Sequence, residues 1–364
     1  MRADVVRFAL PDPGDVSGLR QAIDSGQIDP KTIVAVIGKT HGNGLVNDYT
    51  RGYLTLSLAL LIAEKTGDTP EAVRARVPFV FSGGVEGVLS PHYSVFTAVP
   101  DETAPTGGKS LAIGVAFTPD FRPHDIGRQR QIDLTAAAVE QAMAAAKVDR
   151  ADVHFVQTKG PAFTLAEIIA DRDAGTPPVT DNPGKLMGYG RAGSALGVAK
   201  ALGESAGLES ALLNDFSQFS SVASCSAGVE VRGNEVIVIG MSSAWSGPLA
   251  IAHAAMNDAL DTAGIYRALA DLGLPANPQV SAADAKRLRA GFVKCEASRD
   301  GKIRGRGHTM LNDGDIDPQR HIRAAVGAIV ASVVNDTALF VSGGAEHQGP
   351  DGGGMIALIA ERNA

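Results

Sequence analysis

The chain has 364 residues, longer than one compact domain usually runs, and its 45% hydrophobic and 20% charged content excludes a largely disordered polymer. A formal net charge of −7, with no basic run beyond Arg128–Gln129–Arg130, argues against nucleic acid as a partner. No stretch reaches the roughly 20 apolar residues of a membrane span, no long apolar segment marks a signal peptide, and Cys225 and Cys295 are too few for a disulfide framework; a cytoplasmic protein with buried free thiols is expected.

In chain order, the apolar run IVAVIGKT (33–40) predicts a strand ending in Lys39. A helix is expected over 50–67, with Arg51 near its start, and then VPFVFSGG (77–84), a strand tipped by Ser82 and Gly83. Residues 100–110, rich in Pro, Gly and Thr, read as a linker. Beyond it come a strand, LAIGVAFT (111–118), and an alanine-rich helix over 134–148. The pattern then recurs: VHFVQTKG (153–160) ends in Lys159, a helix begins near Arg191, and SVASCSAG (221–228) carries Ser226 and Ala227, followed by the strand EVIVIGMSS (235–243). A third copy opens with a helix expected over AHAAMNDALDTAG (252–264). It continues with GFVKCEAS (291–298) ending near Lys294, a helix over 321–334 carrying Arg323, ALFVSGG (338–344) with Ser342 and Gly343, and the strand MIALIA (355–360).

Lysine, arginine and serine thus return in the same order at intervals near a third of the chain, dividing it into units 1–103, 111–248 and 254–364. A symmetric scaffold repeats glycines and apolar residues without any need to repeat these three side chains. The expected fold is α/β, with three similar units around a pseudo-threefold axis that brings the nine side chains to one cavity. Clustered arginines, which keep their protons, are expected to force at least one lysine to be neutral. A neutral lysine can deprotonate a serine. Glycine after the serine leaves backbone N–H groups free to meet a carbonyl oxygen. Such a site suits a small planar anion with carbonyls around its rim. The second unit alone has Ser-Ala-Gly, so Ser226 is the expected nucleophile and Lys159 its base, although spacing does not choose among the three pairs.

Other motifs fail their context. GYGRAG (188–193) fits a dinucleotide fingerprint but no strand precedes it, and APTGGKS (104–110) has Thr103 where a phosphate-binding loop needs glycine. AEHQGPDGGG lacks a second histidine for catalytic zinc, but with Glu296 this Gly-rich segment has carbonyls suited to a hard cation such as Mg or Ca.

Eight segments, VAVIGKTHGNGLVNDYTRGY, FSGGVEGVLSPHY, HFVQTKGPAFT, GYGRAGSALG, SCSAGVE, KCEAS, RGHTML and FVSGGAEHQGP, span nearly the whole chain and together resemble the cyanuric acid hydrolase and barbiturase family of cyclic amide hydrolases. The resemblance implies a central β-barrel ringed by helices, usually in a homotetramer, and a planar small-molecule substrate. It implies catalytic roles for Lys159 and Ser226, and substrate binding by Arg51, Arg191 and Arg323 with Ser82, Gly83, Ala227, Ser342 and Gly343, beside Lys39 and Lys294. It implies no cofactor in the chemistry. A structural cation is implied at Glu296 with backbone oxygens around Ala345, Gln348, Gly349, Pro350 and Gly353. Either cyanuric or barbituric acid fits the family; a non-catalytic binder of planar anions is the remaining alternative.

Overall fold

A computed structural model describes residues 1–101 and 108–362, so most of the expected 100–110 linker, Thr103 included, lies outside the described residues. Its framework is three four-stranded sheets. The first contains β1 (Arg2–Ala9), β2 (Ile33–Thr40), β3 (Phe79–Gly83) and β4 (His92–Val99), with α1 (Ser17–Asp24), α2 (Thr50–Thr66) and α3 (Pro70–Arg76) between them. The second contains β5 (Ser110–Phe117), β6 (Val153–Pro161), β7 (Ala223–Gly228) and β8 (Glu235–Ser242), with α4 (Gln129–Ala146), α5 (Leu165–Asp173) and α6 (Pro183–Leu202). The third contains β9 (Leu249–Met256), β10 (Leu288–Cys295), β13 (Phe340–Gly343) and β14 (Gly354–Glu361), accompanied by α7 (Thr262–Asp271), α8 (Ala282–Ala285) and α9 (Pro318–Val334) and a short ribbon of β11 (Lys302–Ile303) and β12 (Arg306–Gly307).

The strand orders are β1-β4-β2-β3, β5-β8-β6-β7 and β9-β14-β10-β13, the same arrangement three times. In each, the lysine-bearing strand pairs parallel with the serine-bearing strand, and the register sets Lys39 against Ser82, Lys159 against Ser226 and Lys294 against Ser342. Parallel neighbours need a crossover, and a helix supplies it in every sheet. The hydrogen-bonded ladders remain three separate open sheets and do not close into one barrel.

Local sequence explains the helix starts. Asn182 caps α6 by accepting from Lys185 N, Asp317 caps α9 by accepting from Gln319 N, and Pro183 and Pro318 occupy first-turn positions where a missing N–H costs nothing. The GYGRAG glycines lie inside α6, and the last of them, Gly193, together with Gly197 one turn on, permits close packing on α4: a Cβ on Gly193 would stand 2.5 Å from Gln131 Oε1, and one on Gly197 2.6 Å from Thr135 Cβ. One expected helix is wrong. Residues 249–256 form β9, paired antiparallel along β14, and the helix begins only at Thr262. Alanine favours helix, but the open edge of β14 and the burial of Leu249 to Ala252 and of Met256 override that preference. β9 also puts the start of the third sheet at Leu249, inside the 248–254 interval of the second junction. Among the described residues, no helix is long and apolar enough to cross a membrane.

Candidate active site

The strand registers carry the three lysines to the inside of the molecule, where each is fully buried. Lys39 Nζ donates to Ser82 Oγ at 3.1 Å and to Gly83 O at 3.1 Å; Lys294 Nζ donates to Ser342 Oγ at 3.0 Å, Gly343 O at 3.1 Å and Cys225 O at 2.6 Å. The middle pair differs. Lys159 Nζ donates to Phe81 O at 2.7 Å and Ala227 O at 3.4 Å and forms an ion pair with Glu230 at 2.9 Å, while Ser226 Oγ donates to Thr158 O at 3.4 Å. Lys159 and Ser226 are therefore register neighbours without a direct hydrogen bond.

In front of the lysines, Ser82, Ser226 and Ser342 meet Arg51, Arg191 and Arg323 around one cavity of about 20 Å3, room for a single water. Gly83, Ala227 and Gly343 complete the serine tips, and Gly44, Met187 and Gln319 close the outer side. Ser82 Oγ donates to Ser342 Oγ at 3.4 Å across the cavity. Gly44, Met187, Arg191 and Gln319 also border a vestibule of about 850 Å3.

Each arginine is held by a glutamate from another sheet's serine loop. Arg323 donates to Glu86 at 2.8 and 2.5 Å, Arg191 to Glu346 at 2.9 and 2.5 Å, and Arg51 lies 3.6 Å from Glu230. These glutamates carried no role in the sequence reading, yet the signal was present: an acid stands four residues after each serine. Burial pushes their carboxyls up, but the facing cations outweigh it and hold all three below the ordinary range.

The glutamates also change the expected reason for neutral lysines. Burial is the leading cause: it drives Lys39 well below its ordinary value, with repulsion from Arg323 second, and takes Lys294 down to about 7, with Arg191 second. Burial lowers Lys159 too, against the opposing pull of Glu230. Both thiols are free and buried, and burial pushes Cys225 up to about 11 and Cys295 up to about 12, so neither is a nucleophile near neutral pH.

Around Glu296, the loop 344–354 wraps closely. Glu296 Oε2 accepts from Ala345 N at 3.3 Å, and both carboxylate oxygens accept from Arg299 at 2.7 and 2.8 Å. The carbonyls of Ala345 and Pro350 accept from Gln348 N and Gly353 N at 2.9 Å, and Gly353 O accepts from Glu296 N at 3.3 Å, leaving each a second lone pair. Gln348 turns its side chain inward to Cys225 N, and Gly349 N donates to Ser220 O at 2.9 Å. Among the described residues, no three His, Cys, Asp or Glu side chains gather to hold a metal.

Serines and arginines closed around a small cavity, backed by buried lysines of low basicity, suit acyl chemistry on a compact ligand rich in carbonyls. The chain belongs to the family of ring-opening amidohydrolases, whose model, described as an amidohydrolase ring-opening protein, matches residues 4–361. It is similar to a cyanuric acid amidohydrolase of Bradyrhizobium diazoefficiens, 50% identical over 98% of this chain and 97% of that one, and to another of Pseudomonas sp. (strain ADP), 48% identical over 98% of each. A solved cyanuric acid hydrolase superposes with a TM-score of 0.95 at 48% identity, covering 99% of both chains. That of A. caulinodans gives 0.91 at 45%, covering 100% of this chain and 99% of the other.

Proposed function

We propose that the protein opens the ring of cyanuric acid, with Ser226 as nucleophile and Lys159 as base. The observation that carries the reading is the threefold set of Lys–Ser register pairs and Glu-held arginines around one cavity, which matches a ring whose three carbonyls are equivalent. Relatives named cyanuric acid amidohydrolase support this substrate over barbituric acid. The cavity is narrower than such a ring, so binding requires Met187 and Gln319 to give way toward the vestibule.

Neutral Lys159 takes the Ser226 proton as Oγ attacks a ring carbonyl; backbone and serine donors at Ser82 and Ser342 face the other rim oxygens, and the guanidiniums balance developing negative charge. The ring C–N bond breaks and Lys159 returns its proton to the departing nitrogen. Water, deprotonated by Lys159, attacks the carbamate ester on Ser226; the C–Oγ bond breaks, Lys159 returns the proton to Oγ, and the carboxybiuret released loses CO2 to leave biuret. Three features single out the middle pair: Ala227 in place of glycine, the Glu230 partner of Lys159, and a serine with no lysine bond to break. Apo catalytic bonds are often loose and tighten with substrate. A second reading, with Ser342 as nucleophile, is favoured by its 3.0 Å bond to Lys294.

Ultraviolet absorbance of cyanuric and barbituric acid solutions mixed with purified protein tests the activity and the substrate. Ser226→Ala and Lys159→Ala are expected to lose about 10^6-fold in kcat, and Ser82→Ala and Ser342→Ala about 10^2-fold as lost carbonyl donors. A larger loss at Ser342 than at Ser226 transfers the nucleophile to the third pair.

The same reading includes three units about a pseudo-threefold axis with their sheets grouped barrel-fashion, supported by the repeated strand order. It also includes a structural Mg or Ca ion held by Glu296 and carbonyls of Ala345, Gln348, Gly349, Pro350 and Gly353. The all-oxygen donor set fits a hard cation, as does the Glu296 carboxyl, which burial and then the neighbouring Glu346 push up to about 7 despite Arg299; Arg299 would give up part of its hold on Glu296. Tyr49, Tyr53, Leu56 and Leu60 line one exposed stripe along α2 and support self-association as a homotetramer. Two buried free thiols support a reducing, cytoplasmic setting.

A further inference from the structure

The three lysine–serine pairs differ most behind the lysine. In each sheet the last strand runs antiparallel to the lysine strand, and the residue directly across is His92 for Lys39, Glu235 for Lys159 and Met355 for Lys294. Directly opposed residues project from the same face with Cβ atoms about 5 Å apart. Only the middle lysine therefore faces a carboxylic acid across the ladder.

Glu235 is anchored where Lys159 is anchored. Its Oε2 accepts from Phe79 N at 2.9 Å, and two residues along the same strand Phe81 O accepts from Lys159 Nζ at 2.7 Å. Glu230, paired with Lys159 at 2.9 Å, and Glu235 both line a separate cavity of about 430 Å3 that shares no lining residue with the substrate cavity. The charged groups acting most on Glu235 are Lys159 on β6, Glu230 on the serine loop and Arg74 on α3, while Glu71 on α3 and Asp120 and Arg232 on the flanking loops line the same cavity; β3 contributes the Phe79 amide. Burial outweighs that amide and pushes the Glu235 carboxyl up to about 8, a range in which it both takes and gives a proton near neutrality.

We propose that Glu235 is the residue through which Lys159 is discharged: the ammonium proton passes to Glu230, then Glu235 takes it up and releases it to water in the outer cavity, leaving Lys159 neutral while the substrate cavity is occupied. The inference rests on Lys159 being the working base. The balance is simple, since one proton leaves the lysine, passes from the Glu230 carboxylate to that of Glu235, and ends on solvent, which restores both carboxylates. The proton never crosses the substrate cavity, which has room for a single water even without a ligand.

Glu235→Gln keeps an acceptor for Phe79 N and removes the titration. Measured on the full chain with cyanuric acid, it is expected to lower kcat about tenfold with KM changed less than twofold, and, because the Glu235 carboxylate holds the Lys159 proton on, to move the limb of the pH–kcat profile assigned to Lys159 discharge toward lower pH. Glu235→Ala, which opens space in the outer cavity, is expected to recover at least fivefold of its lost kcat in added formate, a response that a purely structural role does not produce. Wild-type kcat and pH profile in Glu235→Gln, or folded Glu235→Ala without any formate response, overturns the proposal. Ser226→Ala and Lys159→Ala measured alongside separate this failure from failure of the dyad itself, which only those variants reveal.

Discussion

His92 makes stability a steep function of acidity. It is 3% exposed, sits across the ladder from Lys39, and its Nδ1 bonds Ser90 O at 2.8 Å, which fixes Nδ1 as the protonated nitrogen of a neutral ring. Burial pushes its pKa from 6.5 down to about 4; Arg7 and Lys39 act in the same direction, while the Ser90 carbonyl and Asp336 oppose. Because the folded value lies below the unfolded one, the stabilisation is fully present above pH 6.5 and is lost as pH falls toward 4, where the unfolded chain already holds the proton. At 1.36 kcal/mol per pKa unit the full span is about 3 kcal/mol, of which about 2 kcal/mol is lost between pH 7 and pH 5. Urea denaturation of the wild type and His92→Asn at the two pH values isolates it, because the other histidines titrate in both proteins and cancel in the difference. The stability gap between the two proteins should shrink by about 2 kcal/mol on going to pH 5. A gap constant to within about 0.5 kcal/mol refutes the reasoning.

Two further outcomes are expected. Gly83→Ala puts a Cβ 1.7 Å from Asp48 Oδ2, the carboxylate that holds Gly44 N at 2.8 Å, so the serine tip and the cavity wall must part; kcat/KM should fall about 10^2-fold while circular dichroism stays native. Prolonged dialysis against a chelator should lower Tm by several degrees, with recovery in Mg or Ca, and Glu296→Ala should abolish that response; metal-free protein by elemental analysis with an unchanged Tm removes the cation from the site.

Much of the site was legible because its chemistry is triplicated: Lys39, Lys159 and Lys294 each end an apolar strand, and the ladder register with Ser82, Ser226 and Ser342 follows from two such strands running parallel. What escaped has partners far away in the chain. Glu86 bonds Arg323 across 237 positions and Glu346 bonds Arg191 across 155, distances at which a local pattern shows an acid but not its purpose. The helix expected over 252–264 failed for a related reason, since the edge that recruits β9 is a strand about a hundred residues later. The unlike bonding of Lys159 was equally invisible: its bond to Phe81 O repeats that of Lys294 to Cys225 O, and what sets it apart is the ion pair with Glu230, an acid that all three units carry in sequence.

The glutamate-to-arginine contacts run in a cycle: the first segment's acid grips the third segment's guanidinium, the third's grips the second's, and the second's faces the first's. No segment supplies the glutamate for its own arginine. Deleting any one strands a buried acid on one neighbour and a buried guanidinium on the other, so the molecule has no two-thirds version that keeps two-thirds of its pocket; assembly of the binding ring is all or none.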